Sequence, residues 1–203
     1  MASLVDIANF ALGEVAENTI TTLEDNTEHA RASKRYLYQT IREVLHSGKW
    51  KCARQSAVLS QESPAPTFGW DYSYPLPADF IRIVSFNDTD PDTVHRDLFE
   101  IRATSLQTDE SLAKIVYIRD LVFGDGDVGV MPPLMVKAVY LALASKLAWA
   151  LQQNRKLKIT LEELAIGALK RAKAADAQEE FRPLVNSSNT SSWVNARTSS
   201  TNG

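Results

Sequence analysis

The longest apolar stretch of the chain, residues 132–153, constrains the fold more than any other feature. Pro132 and Pro133 suit the first turn of a helix, where a missing N–H costs nothing. The residues after them are apolar on nearly every side, which is typical of a helix covered by several neighbours. Lys137 and Lys146 interrupt the run, and lysines inside a membrane are costly. The stretch therefore predicts a central core helix and no membrane span.

Composition limits the class of protein. The chain has 203 residues, 44% hydrophobic side chains and a formal net charge of −3. These values fit one folded domain with a tail, and they disfavour gripping DNA through its phosphates, which needs a basic stripe. Cys52 is the single cysteine, so neither an internal disulfide nor a cysteine-based zinc site is expected. The N-terminus has no secretory pattern, and we expect synthesis and assembly in a cytoplasm.

Three further helices are expected around the central one. Ser3 is a suitable N-cap for a short helix that Gly13 would end, and a second amphipathic helix spans about residues 27–46. A last helix is predicted over residues 160–181, because this segment begins with Thr-Leu-Glu-Glu, the pattern of a capping box. Residues 186–203 are rich in Asn, Ser and Thr and cannot bury enough apolar surface to fold alone.

Between residues 50 and 119 the hydrophobic pattern changes from a helical period to alternation. Four prolines and alternating aromatic residues between 63 and 77 favour an extended segment laid over a sheet. The polar residues 104–111 are expected to be a connector. Strands are predicted at residues 50–59, 80–86, 98–103 and 113–119.

The predicted fold class is α+β, mainly α. We expect a helical bundle, a small antiparallel β-sheet insertion and an extended C-terminal tail. The bundle would comprise residues 1–49 and 124–182, the β insertion residues 50–123, and the tail residues 183–203.

The residues that most often bind metals or act as nucleophiles are scarce. His29 and His46 lie near opposite ends of one predicted helix, roughly 25 Å apart at a rise of about 1.5 Å per residue. They are therefore too distant to share a metal ion. Cys52 and His95 could meet only through the fold, and no catalytic signature flanks the cysteine. A small buried hydrophobe is the simpler interpretation of Cys52.

Other candidate chemistry is equally unspecific. The glycine-rich residues 124–129 lack the Lys-Ser/Thr of a phosphate-binding loop and the bidentate Glu of a calcium loop, so they favour a hinge. Paired acids could cleave a glycoside, but a chain with 25 acidic residues always offers such pairs. The candidate acids are Asp71, Asp79, Glu100 and Asp120.

Two segments remain as candidate contact surfaces. Phe68, Trp70 and Tyr72 belong to an aromatic segment that either covers the sheet or contacts a partner, and core cover is favoured for Trp70 and Tyr74. Trp193 is the only large aromatic residue of the C-terminal tail. The tail is either an end without a role or a peptide that folds onto a partner with Trp193 as its anchor.

The order of these signals is similar to that of a known family. The N-terminal part contributes Phe10-Ala11-Leu12-Gly13-Glu14, Ile20, Leu23-Glu24-Asp25, and Gly48-Lys49-Trp50 after Val44-Leu45. The most specific part follows the aromatic segment, at Leu76-Pro77-Ala78-Asp79-Phe80-Ile81-Arg82. Across nearly its whole length the chain resembles the tail tubular protein A family, the head-to-tail adaptors of short-tailed bacteriophages.

The resemblance implies a structural virion protein of the phage tail that needs no cofactor. Such adaptors form a ring of twelve beneath the portal protein, and a nozzle or second tubular protein docks below. DNA would pass through the ring during ejection without specific binding, and tail fibres are a further partner left open. Helices would build the ring wall, with the sheet facing outward or downward. The tail would reach the portal through Trp193, Val194, Asn195 and Arg197, and the insertion would make contacts through Phe68, Trp70 and Tyr72.

Two other classes compete with the adaptor. A tail-associated cell-wall hydrolase would need paired acids with perturbed pKa values in a cleft, and the sequence shows no such pair. A nucleic-acid-binding module could use basic residues of the second helix, but these alternate with Glu28 and Glu43, which favours a solvated face. The basic residues are Arg31, Lys34, Arg35 and Arg42.

Overall fold

The apolar stretch forms the central helix of the fold. The computed structural model describes residues 2–93, 98–124 and 127–179. The described chain contains four α-helices: α1 (Leu4–Glu14), α2 (Glu28–His46), α3 (Pro133–Gln152) and α4 (Arg155–Gln178). Helix α3 packs against each of the other three. By length and composition α3 could cross a membrane, yet 56% of its apolar window is buried inside the fold. That it spans no membrane stays a prediction.

The predicted helix ends needed two corrections. Gly13 lies inside α1, which begins at the Ser3 cap and ends at Glu14, and the chain reverses at Ala16 with a positive φ of 54°. Helix α4 begins five residues before the predicted capping box. The side chain of Asn154 caps it by accepting a 3.0 Å hydrogen bond from the Leu157 N–H.

The strands form two small antiparallel sheets where one was expected. The first sheet has the order β1-β6-β3 and the second the order β2-β5-β4. The six strands are β1 (Arg54–Leu59), β2 (Tyr72–Pro75), β3 (Phe80–Phe86), β4 (Glu100–Arg102), β5 (Ser105–Thr108) and β6 (Ala113–Arg119). The content of four helices and two small sheets confirms the α+β, mainly α class.

The prediction of a polar connector at residues 104–111 was wrong, because this segment contains β5. Leu106 and Thr108 point into the core between the sheets and are fully buried. The Thr108 hydroxyl is satisfied there by donating to the Leu98 carbonyl at 2.8 Å. The strand predicted from residue 50 begins at Arg54, since Lys51–Ala53 form a 3₁₀ turn.

Two hydrophobic cores meet at the first sheet. One face of this sheet contributes Val84 and Ile118 to the core of the helices. The other face packs Ile83 and Ile115 against the second sheet, where Tyr74 and Leu106 are buried. The first sheet thus joins the helical body to the outer sheet. The proposed division into bundle, insertion and tail stays a prediction.

Candidate functional site

Among the residues that the structure describes, the most exposed aromatic side chain lies on the loop between β1 and β2. Phe68 is 75% exposed and precedes Gly69, whose φ of 96° favours glycine at this turn. Trp70 is half-buried, and its Nε1 donates to Glu100 Oε2 at 3.1 Å across the outer face of the second sheet. Trp70 therefore lies at the outer face of the second sheet, and the exposed Phe68 precedes it by two residues on the same loop; we call these two residues the aromatic tip.

Tyr72 does not belong to this tip. In β2, Tyr72 and Tyr74 point to the inner face, where Tyr74 is buried and Tyr72 packs partly against the same core. The Tyr74 hydroxyl donates to the Glu110 carbonyl at 2.9 Å. Core cover is thus confirmed for Tyr74 and was wrong for Trp70, which belongs to neither core and bonds to Glu100 instead. Of the three insertion candidates, Tyr72 packs against the core, whereas Phe68 and Trp70 lie on the loop before β2.

A polar network surrounds the aromatic tip. The carboxylate of Glu62 accepts hydrogen bonds from Ser73 Oγ at 3.3 Å and Ser105 Oγ at 3.2 Å. Glu100 accepts from Arg102 Nη2 at 2.9 Å, and this bond and the one from Trp70 Nε1 lower the pKa of Glu100. The outer face of this sheet is therefore polar and ionised, with the Trp70 ring bonded to Glu100.

A second candidate surface runs along the helical body. Helices α2 and α4 pack on α3 but make little direct contact with each other among the described residues, so one side of α3 stays open between them. This α3 groove has a floor of small residues and is flanked by Val44 and Leu169. The floor consists of Ala138, Ala142 and Ser145, and Trp149 continues it at the far end.

The rim of the α3 groove combines apolar and charged groups. Trp149 and Ile166 are each 51% exposed. Glu43 accepts from Lys146 Nζ at 2.6 Å across the floor, and Glu162 lines the opposite side. An apolar floor with a charged rim is a typical docking surface for a helix of another protein. Sequence analysis missed this groove, although its floor residues recur at helical spacing in the apolar stretch.

The acids considered for glycoside cleavage are held in structural contacts. Asp79 accepts a 3.0 Å hydrogen bond from the Tyr117 hydroxyl, and burial together with this bond raises the pKa of Tyr117 to about 12. Asp120 accepts from Arg42 Nε at 2.7 Å. The backbone of Asp71 donates to Asp109 on the loop after β5. Glu100 lies on the outer face of the second sheet, where it accepts from Trp70 and Arg102.

The remaining candidate residues are Cys52, His95 and four residues of the tail. The Cys52 thiol lies 3.7 Å from Met135 Sδ, and burial raises its pKa to about 11. His95 lies outside the described residues, as do the tail candidates Trp193, Val194, Asn195 and Arg197. Within residues 2–93, 98–124 and 127–179, no group of three or more His, Cys, Asp or Glu side chains could hold a metal ion.

The basic residues of α2 are engaged in local contacts. Lys34 Nζ lies 2.6 Å from Glu24 Oε1, and Arg31 Nη1 donates to Asn26 at 2.8 Å. Arg42 bonds to Asp120 as described above. Two of the four positive charges, those of Lys34 and Arg42, are thus paired with carboxylates, and Arg31 bonds to a neutral amide.

No protein family model matches the chain, and no curated protein matches it significantly.

Proposed function

We propose that this protein is a structural adaptor of a short-tailed phage virion, which joins the portal protein to the tail nozzle. The proposal draws on the resemblance at Leu76-Pro77-Ala78-Asp79-Phe80-Ile81-Arg82 and on the surfaces of the fold. Copies of the chain would form a ring of twelve on assembly, and DNA would leave the capsid through it. A formal net charge of −3 suits a channel through which DNA slides without adhering.

The observation that carries the proposal is the separation of two exposed apolar surfaces. The aromatic tip at Phe68 and Trp70 belongs to the outer sheet, whereas the α3 groove belongs to the helical body. The first sheet stands between the two surfaces and packs against both parts. A subunit of a ring-shaped connector needs at least one surface for a neighbouring copy and another for a docking partner, and exposed apolar patches commonly mark interaction sites.

The first test is the mass of the purified protein alone and after mixing with the portal ring of its phage, measured by light scattering. We expect a discrete heavy complex that carries many copies of this chain per portal. A protein that ignores the portal would contradict the proposal. The same preparation would then be assayed for cell-wall hydrolysis, which is the expectation of the rival enzyme class.

A second test concerns the C-terminal tail. Because α4 ends at Gln178, deletion of residues 186–203 removes no part of the described fold. We expect the truncated protein to unfold at the same denaturant concentration as the full chain and to lose docking to the portal. Substitution of Trp193 by Ser should cause most of the same loss if this residue is the anchor. Retained docking of the truncated chain would contradict a portal-binding role for the tail.

A further inference from the structure

Helix α4 carries exposed apolar side chains on two nearly opposite sides. Ile166 is 51% exposed and lines the α3 groove. Leu164 is 48% exposed. Positions two apart on an α-helix differ by roughly 200° in direction, so Leu164 points away from the groove. The helix therefore has two unlike apolar sides, of which the fold covers neither completely.

The side of Leu164 also contains a glycine that the described fold does not require. Gly167 lies within α4 and would cost up to about 1 kcal/mol relative to Ala in a helix interior. A Cβ added at Gly167 would approach only Arg171 Nη2, at 3.8 Å. A helix glycine without a local reason often permits close approach of another backbone. We call Leu164, Gly167 and Arg171, which recur at helical spacing, the outer α4 surface.

Each side of α4 carries a charged side chain that could pair with the other across an interface between copies. Arg171 Nε donates to the Gly167 carbonyl of its own helix, and its guanidinium meets no carboxylate in the part of the chain that the structure describes. Glu162 lines the α3 groove and likewise forms no ion pair with any described residue. One side of the helix thus offers an unpaired cation and the other an unpaired carboxylate.

We propose that the outer α4 surface of one copy docks into the α3 groove of a second copy of this chain. Leu164 would enter the groove beside Ile166, Gly167 would lie over the small floor residue Ala142, and Arg171 would face Glu162. Because the two surfaces differ, the contact is head-to-tail and leads to a closed ring when the rotation between copies permits closure. The inference rests on the proposed function in one respect, which is that an adaptor ring requires contacts between copies of the chain.

Disulfide trapping between separate chains tests this contact. One chain would carry Ala142→Cys and another, of different mass, Gly167→Cys, both with Cys52→Ser to remove the native thiol. After mixing and mild oxidation, with and without the portal ring, we expect a cross-link between the two kinds of chain and little within either kind. The matched control replaces Gly167→Cys by Glu14→Cys, which places an exposed thiol on α1.

The outcomes separate this contact from the proposed function. If the Ala142→Cys and Gly167→Cys chains do not cross-link above the level of the Glu14→Cys control, the proposed contact is wrong, whether or not the protein binds the portal. A specific cross-link in a protein that ignores the portal keeps the contact and removes the adaptor function. Portal binding without the cross-link would keep the adaptor function and remove the proposed contact.

Charge exchange gives an independent readout. Arg171→Glu or Glu162→Arg alone should weaken self-association by roughly fivefold, and the double variant should recover most of that loss. Gly167→Ala should raise the thermal stability of the isolated chain, because Ala favours a helix, while weakening self-association, because its methyl group would hold the two backbones apart. A glycine with a purely structural role would not change stability and association in opposite directions. Failure of the double variant to recover association would contradict the proposed pairing of Arg171 with Glu162.

Discussion

Arg42 on α2 donates from Nε to the Asp120 carboxylate at 2.7 Å and so ties the helical body to the end of β6. Asp120 is nine-tenths buried, whereas the Arg42 side chain is half exposed. The second carboxylate oxygen of Asp120 accepts from the Val122 N–H at 3.0 Å. The negative charge of the buried Asp120 carboxylate is thus balanced by the half-exposed Arg42.

Removal of Arg42 should therefore destabilise the fold. We expect Arg42→Met to lower the free energy of unfolding by about 1–3 kcal/mol, because it leaves the buried Asp120 carboxylate without its charged donor. Denaturant titration measures the change. Lys34→Met is the matched control, since the Lys34–Glu24 pair is solvent-exposed and should contribute less than about 0.5 kcal/mol. Equal losses in the two variants would contradict this explanation.

Gly48 and Gly13 should respond in opposite ways to alanine. A Cβ at Gly48 would lie 2.9 Å from Cε2 of Trp50, a buried ring held by its 2.7 Å hydrogen bond to the Val44 carbonyl. Gly48→Ala should therefore cost about 1–3 kcal/mol. Gly13 is an exposed position in α1 with nothing within 4 Å of an added Cβ, so Gly13→Ala should stabilise by up to about 1 kcal/mol. Thermal unfolding of both variants measures the contrast.

The Cys52 thiol should be unreactive in the folded protein. Burial raises its pKa to about 11, so the thiolate, which is the reactive form, is scarce at pH 8. We expect a disulfide reagent such as DTNB to label the native chain slowly and the urea-unfolded chain at once. Rapid labelling of the native protein would show that the thiol is accessible and ionised.

The ion pair between Lys49 and Asp90 should make stability depend on acid pH. Hydrogen bonds from Lys49 Nζ, at 2.8 and 2.7 Å, lower the pKa of Asp90 in the folded state. A carboxyl group whose pKa is lower in the folded state stabilises the fold at pH values above its unfolded-state pKa of about 3.9. This stabilisation is lost as the pH falls through the folded-state pKa. Asp90→Asn should thus be less stable than wild type at pH 7, with the difference shrinking as pH falls below about 4 and vanishing only below the lowered folded-state pKa of Asp90. In a Lys49→Met background this pH-dependent difference should be much smaller.

The aromatic tip should matter for assembly and not for folding. Phe68→Ser changes a side chain that is 75% exposed, so the free energy of unfolding should stay within about 0.5 kcal/mol of wild type. If the tip contacts the tail nozzle, the same variant should weaken nozzle binding in a pull-down with the purified partner. Tyr74→Ser removes a buried ring and serves as the contrasting variant, with loss of stability as its main effect. Unchanged nozzle binding by Phe68→Ser would remove the tip from the contact surface.

Sequence patterns located most elements but missed those defined by neighbours. The second helix was expected over residues 27–46 and is observed as Glu28–His46, because its cap and its apolar stripe are local signals. Strand β5 contains one large apolar residue, Leu106, and becomes a strand because β2 and β4 pair with it on both sides. The start of α4 was misplaced because Asn154 and Thr160 are both suitable caps, and only packing on α3 selects the first.

The amino-acid pattern of residues 132–153 was enough to predict a buried helix, since a segment apolar on nearly all sides is stable only when other elements cover it. Which side of α3 stays open could not be predicted in this way, because it depends on where α2 and α4 pack and not on the residues of α3 alone. The same holds for the aromatic segment. Alternation would place Trp70, Tyr72 and Tyr74 on one face, but β2 begins only at Tyr72 and its pairing with β5 turns Tyr74 inward, whereas Trp70 lies before the strand and bonds to Glu100 on the outer face.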